Sequence, residues 1–69
     1  MDTRLHSVYV EVERKQFTLD LKANQQGTFL RITEMVSGRH NSIVIPATGL
    51  ELFRDTLNEA INSARPYST

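Results

Sequence analysis

The residues best equipped for chemistry lie in one stretch, Phe17-Thr18-Leu19-Asp20-Leu21-Lys22-Ala23-Asn24-Gln25-Gln26-Gly27-Thr28-Phe29-Leu30-Arg31-Ile32. Lys22 and Arg31 flank an amide-rich centre, and Phe29 supplies a flat ring at its exit. Cations hold phosphate, amides read base edges, and a ring stacks on any base, so such a stretch can hold a splayed base and its neighbouring phosphate. The same pattern also describes an ordinary β-hairpin with a solvated loop. Each side chain therefore carries two readings. Lys22 is either a solvated strand-end charge or a phosphate ligand. Asn24 closes an Asx-turn, contacts a base, or does both. Phe29 is either buried by a partner subunit or stacked on a base, and its position opposite Leu30 favours stacking. Arg31 pairs with Asp20 or Glu34, or it binds. Arg39, His40 and Asn41 read as a turn or as a minor polar patch.

Other chemistries find little support. The acids Glu11, Glu13, Asp20 and Glu34 fall in turns or mostly on the outward faces of strands, and no Ser or Thr stands near a His in a nucleophile arrangement. The three Gly are not clustered into a phosphate loop. There is no Cys, and His6 and His40 lack ligand-type spacing, so disulfides are excluded and a zinc site is not expected. The expectation is a non-enzyme with no cofactor, no metal and no small-molecule substrate.

The elements that position the stretch follow from periodicity. Val8, Val10 and Val12 alternate with Tyr9 and Glu11, the mark of a half-buried strand. After a charged turn at Glu13-Arg14-Lys15, Phe17, Leu19 and Leu21 face inward, and Gln16, Thr18, Asp20 and Lys22 face outward. Beyond Gly27 the inward set is Leu30 and Ile32, with Phe29, Arg31 and Thr33 opposite. Ser37-Gly38-Arg39 is a second turn signal. Ser42 to Ile45 form the fourth strand, which Pro46 ends by removing a ladder donor. Thr48-Gly49-Leu50-Glu51 matches a capping box. Leu50, Phe53, Leu57, Ala60, Ile61 and Ala64 then make one apolar helical stripe. Pro66 stops the helix. The expected order is β-β-β-β-α, a meander with a helix across one face.

Size and charge narrow the partners. At 69 residues the chain holds one small domain. Such a domain buries only about 60% of its unfolded surface. With disulfides excluded and no metal expected, oligomerisation is the remaining source of stability. Eight Lys+Arg balance eight Asp+Glu, so any nucleic-acid binding must rest on a local patch and on stacking. No apolar run approaches the ~20 residues that span a bilayer, and no signal-peptide pattern opens the chain.

The combined pattern resembles the repeat of the Pur-alpha family of purine-rich-element binding proteins. The likeness is carried by Glu13 to Lys22, Asn24-Gln25, Gly27, Phe29 to Ile32, Gly38 to Pro46 and Gly49 to Leu57, and it covers roughly Val8 to Ile61. It implies an α+β fold, a four-stranded antiparallel curved sheet followed by one helix, of the Whirly-like type. It implies that two such PUR repeats intertwine by exchanging helices. It also implies binding of single-stranded, purine- or G-rich DNA or RNA, in transcription or RNA regulation. Matched residue by residue, Lys22 and Asn24 stand at the first two contact positions, Phe29 at the base-stacking aromatic and Arg31 at a basic position on the next strand. Gln26 and Thr28 stand where the family usually has Arg. Gln26 can hydrogen-bond a base edge but cannot neutralise phosphate.

Residues 5–64 are therefore expected to form one PUR repeat and 65–69 a frayed tail, the chain being either a whole small protein or one repeat of a longer one. The expected partners are single-stranded nucleic acid and a second copy, with no membrane. An intracellular location follows, nuclear or cytoplasmic in a eukaryote. The alternative is a PUR-type dimerisation module whose nucleic-acid face is weakened at Gln26 and Thr28.

Overall fold

The computed structural model describes residues 1–67; Ser68 and Thr69, the end of the expected frayed tail, lie outside the described residues. The chain runs β1 (Thr3–Val12), β2 (Lys15–Asn24), β3 (Gly27–Val36), β4 (Arg39–Pro46), a 3-10 turn (Ala47–Gly49), α1 (Leu50–Ala64) and a second 3-10 turn (Arg65–Tyr67). The strands form one antiparallel meander in the order β1-β2-β3-β4. Each connection has two residues. Ser37 and Gly38 both take positive φ, 50° and 79°, as the twist of a two-residue hairpin requires. Glu13 takes φ 56° without the help of a glycine.

The register sorts the side chains as the alternation predicts. Val8 faces Leu19 and Val10 faces Phe17, then Leu19 faces Ile32, and Ile32 faces Ile43. Directly opposed residues share a face, so these aliphatics and Phe17 make one continuous apolar surface. Lys22, Asn24, Phe29 and Arg31 belong to the other face. Two hydrogen bonds fix that face independently: Ser7 Oγ donates to Asp20 Oδ1 at 2.6 Å, and Thr33 Oγ1 lies 3.0 Å from Ser42 Oγ.

Two expectations about the helix are corrected. The capping box does not form. The N-cap is Gly49, with no side-chain cap bond, because the 3-10 turn absorbs Thr48. Pro46, extended at φ −58° and ψ 142°, feeds the chain straight into that turn, and the Leu50 amide donates to the Ala47 carbonyl. Glu51 still occupies the first turn, where its charge suits the helix dipole. The second correction concerns placement. The helix does not lie across its own sheet; it leaves through the 3-10 turn and stands clear. The radius of gyration is 14.0 Å, where a compact chain of this length has about 11 Å.

None of the described residues is fully buried. Phe53, Leu57 and Ile61 stay exposed on the helix, as do Val8, Val10 and Ile43 on the apolar sheet face. Two complementary apolar surfaces thus exist in one chain without meeting. No helix of the described residues is long and apolar enough to cross a membrane.

Candidate nucleic-acid interface

The polar face is a grid set by the ladder. One row crosses all four strands as Arg4, Lys22, Phe29 and Pro46. The next runs Ser7, Asp20, Arg31 and Val44. Rows on one face are about 7 Å apart and neighbours within a row about 5 Å. Phe29 therefore has Lys22 on one side and Pro46 on the other, with Arg31 one step along its own strand.

Beside this grid lies an open hollow of about 390 Å³, lined by Asn24, Gln26, Phe29, Arg31, Val44 and Pro46, with Asp2 at its rim. Four of the five expected site residues meet there. Lys22, the fifth, is the cross-strand neighbour of Phe29 on the same face. Phe29, Arg31, Lys22 and Asn24 are half-buried, while Gln26 is exposed. Asp2, Val44 and Pro46 escaped the sequence reading; once the register is known, Pro46 beside Phe29 and Val44 beside Arg31 supply an apolar wall.

Asn24 does hold the loop. Its Oδ1 accepts from the Gln26 amide at 2.8 Å, closing an Asx-turn, and its Nδ2 donates to Asp2 Oδ1 at 3.0 Å. The side chain thus ties the hairpin tip to the N-terminal lead. Asn24→Ala is expected to lower stability by about 1–2 kcal/mol, measured by chemical denaturation. Asn24→Asp should retain the turn but set a second carboxylate against Asp2, with a comparable loss.

Arg31 is the unusual group. Asp20, its cross-strand neighbour, accepts from Ser7 and makes no ion pair with it, and Glu34 lies on the opposite face, opposed to Phe17 and paired with Lys15 at 3.5 Å. The Arg31 Nε is buried and has no hydrogen-bond partner among the described residues. A buried donor left unsatisfied costs about 1–3 kcal/mol, which a shift of the side chain toward an acceptor would recover. Nothing here resembles a metal centre, since no group of three or more His, Asp or Glu among the described residues is placed to hold an ion.

A flat ring between a cation and an apolar wall, with the unpartnered Arg31 Nε beside it, is a combination that can receive an unpaired nucleotide. The chain belongs to the PurA single-stranded DNA- and RNA-binding protein family, whose pattern matches residues 1–67. The resemblance read from the sequence is borne out. Among relatives, Transcription factor Pur-alpha 1 of Arabidopsis thaliana is 39% identical over 62 residues, covering 90% of this chain and 21% of its own length. Purine-rich element-binding protein gamma of Homo sapiens is 40% identical over 73 residues, covering 81% of this chain and 21% of its own. Transcriptional activator protein Pur-alpha of Homo sapiens is 38% identical over 65 residues, covering 84% and 20%. The chain spans about a fifth of the length of these curated relatives. The family is described by its binding of single-stranded DNA and RNA.

Proposed function

We propose that residues 5–64 form one PUR repeat that binds purine- or G-rich single-stranded DNA or RNA through the face carrying Lys22, Asn24, Gln26, Phe29 and Arg31, and so acts in transcription or RNA regulation. The observation that carries this reading is the buried, unpartnered Arg31 Nε beside the half-buried Phe29 ring. A base stacks on Phe29 against the Pro46 wall. Its phosphate meets Lys22, and Arg31 donates to a base edge or a second phosphate. Asn24 positions the loop, and Gln26 presents an amide to a base edge. The names of the human relatives, a purine-rich element-binding protein and a transcriptional activator, support the ligand class and the process.

The working unit is a homodimer in which each helix covers the partner's sheet, an intertwined arrangement of the Whirly-like type. The support is the pair of unmatched apolar surfaces within one chain. Those surfaces also favour a second reading, a repeat retained mainly to dimerise. A titration of a labelled G-rich single strand at low salt separates the two. Saturable binding that a duplex of the same sequence does not compete for supports the first reading; its absence with an intact dimer leaves the second.

Gln26→Arg gives a further check. An added cation at the loop should tighten binding at low salt and steepen the salt dependence by about 0.7 per contact. No change in slope would mean that the loop does not approach phosphate.

A further inference from the structure

We propose that a bulge in β1 carries the binding face onto a third strand, where Arg4 and Lys22 form a two-cation clamp on the phosphates flanking the base at Phe29. The inference rests on reading that face as a single-strand site, and it adds a contact that the hairpin alone does not contain.

The argument is one of parity. Ser7 lies on the polar face, as its bond to Asp20 fixes. Strict alternation back from Ser7 would place Leu5 and Thr3 on that face and turn Arg4 toward the apolar one. The β1–β2 register instead shifts between Arg4 and His6, pairing Arg4 with Lys22 and His6 with Leu21. Leu5 is the extra residue, and from there toward the N-terminus the side chains change faces. The bond between Asn24 and Asp2 is independent proof of the change, because it requires Asp2, two residues before Arg4, on the polar face.

The consequence is electrostatic. Arg4 stands directly opposite Lys22, and like charges in that position repel. Neither makes a side-chain hydrogen bond or ion pair among the described residues. The nearest acids on the face, Asp2 and Asp20, accept from Asn24 and Ser7. A pair of adjacent cations, neither engaged in an ion pair, fits a polyanion, with the charges of Asp2 and Asp20 set one step along the face. From Phe29 the row reaches Lys22 at about 5 Å and Arg4 at about 10 Å. The nucleic-acid backbone would then cross the strands, from the ring toward the β1 edge. The plain alternative is that Arg4 is an edge-strand charge that discourages edge-to-edge pairing.

Salt dependence separates the two. Each phosphate contact to a single strand contributes about 0.7 to the slope of log K against log salt. Lys22 and Arg31 alone give a slope of about 3 for two repeats, and Arg4 raises it to about 4. With a labelled G-rich single-stranded DNA as probe, Arg4→Ala should lower the slope by about 0.7 per repeat and Arg4→Lys should restore it. Arg54→Ala, which removes a helix cation already paired with Asp55 at 3.0 Å, should leave the slope unchanged. Arg4 is exposed, so its loss leaves the fold intact. A wild-type protein that binds with the same slope as Arg4→Ala would overturn the clamp alone. An equal fall in Arg54→Ala would also overturn it, because total charge and not position would then be read. A wild-type protein that fails to bind would overturn the site reading and the clamp with it.

Discussion

Phe29→Ala is expected to weaken binding of a G-rich single strand by about 1–3 kcal/mol while leaving the thermal transition in place. The ring lies on the polar face between Lys22 and Pro46, half-exposed, so removing it opens no cavity in the apolar surface. Stacking tolerates every base because every base has a flat face. Gln26 and Thr28 supply no charge at the loop, so stacking must carry more of the affinity than phosphate contacts do. Phe29→Ala should therefore cost more than Lys22→Ala at moderate salt, and the gap should widen as salt screens the lysine. Phe17→Ala is the contrasting variant. Phe17 faces Val10 and belongs to the apolar surface, so its loss should destabilise the fold by about 3–5 kcal/mol. Fluorescence anisotropy and a thermal melt on each variant decide the matter. If Phe29→Ala abolishes the melt as Phe17→Ala does, the ring is core and not a platform.

The strands and the placement of the hairpin residues on one face were open to sequence reading because period-2 alternation survives translation into a ladder. Leu19, Leu21, Leu30 and Ile32 fall on one face and Lys22, Phe29 and Arg31 on the other, as spacing alone requires. The Asx-turn at Asn24 was likewise foreseeable, since the side chain acts on its own loop. Arg4 was not. A bulge breaks the parity on which the alternation argument depends, and Thr3 to His6 contain no Gly or Pro to announce one. Pro46 was read as a strand terminator, and only the register with Phe29 makes it part of a site. The capping box failed for a related reason: the spacing from Thr48 to Glu51 is correct, but Pro46 sets the preceding turn and moves the cap to Gly49. Local motifs report what a segment can do, and its neighbours decide whether it does so.

The helix poses the same question on a larger scale. Its apolar stripe says that it must be covered but not by which chain, and its position clear of its own sheet points to a second copy. A large expected effect on stability follows. If Phe53 and Leu57 are buried against a partner's sheet, Phe53→Ala should cost about 3–5 kcal/mol. An exposed helix position away from any interface would change by no more than about 0.5 kcal/mol. The melting temperature of the wild-type protein should rise with concentration, because dimer and fold are lost together. Mixing experiments then distinguish exchange from a helix that folds back on its own sheet. Leu57→Asp spoils the helix, and Ile43→Asp, on the apolar face opposite Ile32, spoils the sheet. Alone, each variant should fail to dimerise. Together, the intact helix of the Ile43→Asp chain can cover the intact sheet of the Leu57→Asp chain, so one sound interface forms. Light scattering should detect a mixed dimer, and circular dichroism should recover part of the transition. A helix packed on its own sheet would leave both chains defective after mixing, and a mixture no better folded than its components would rule out exchange.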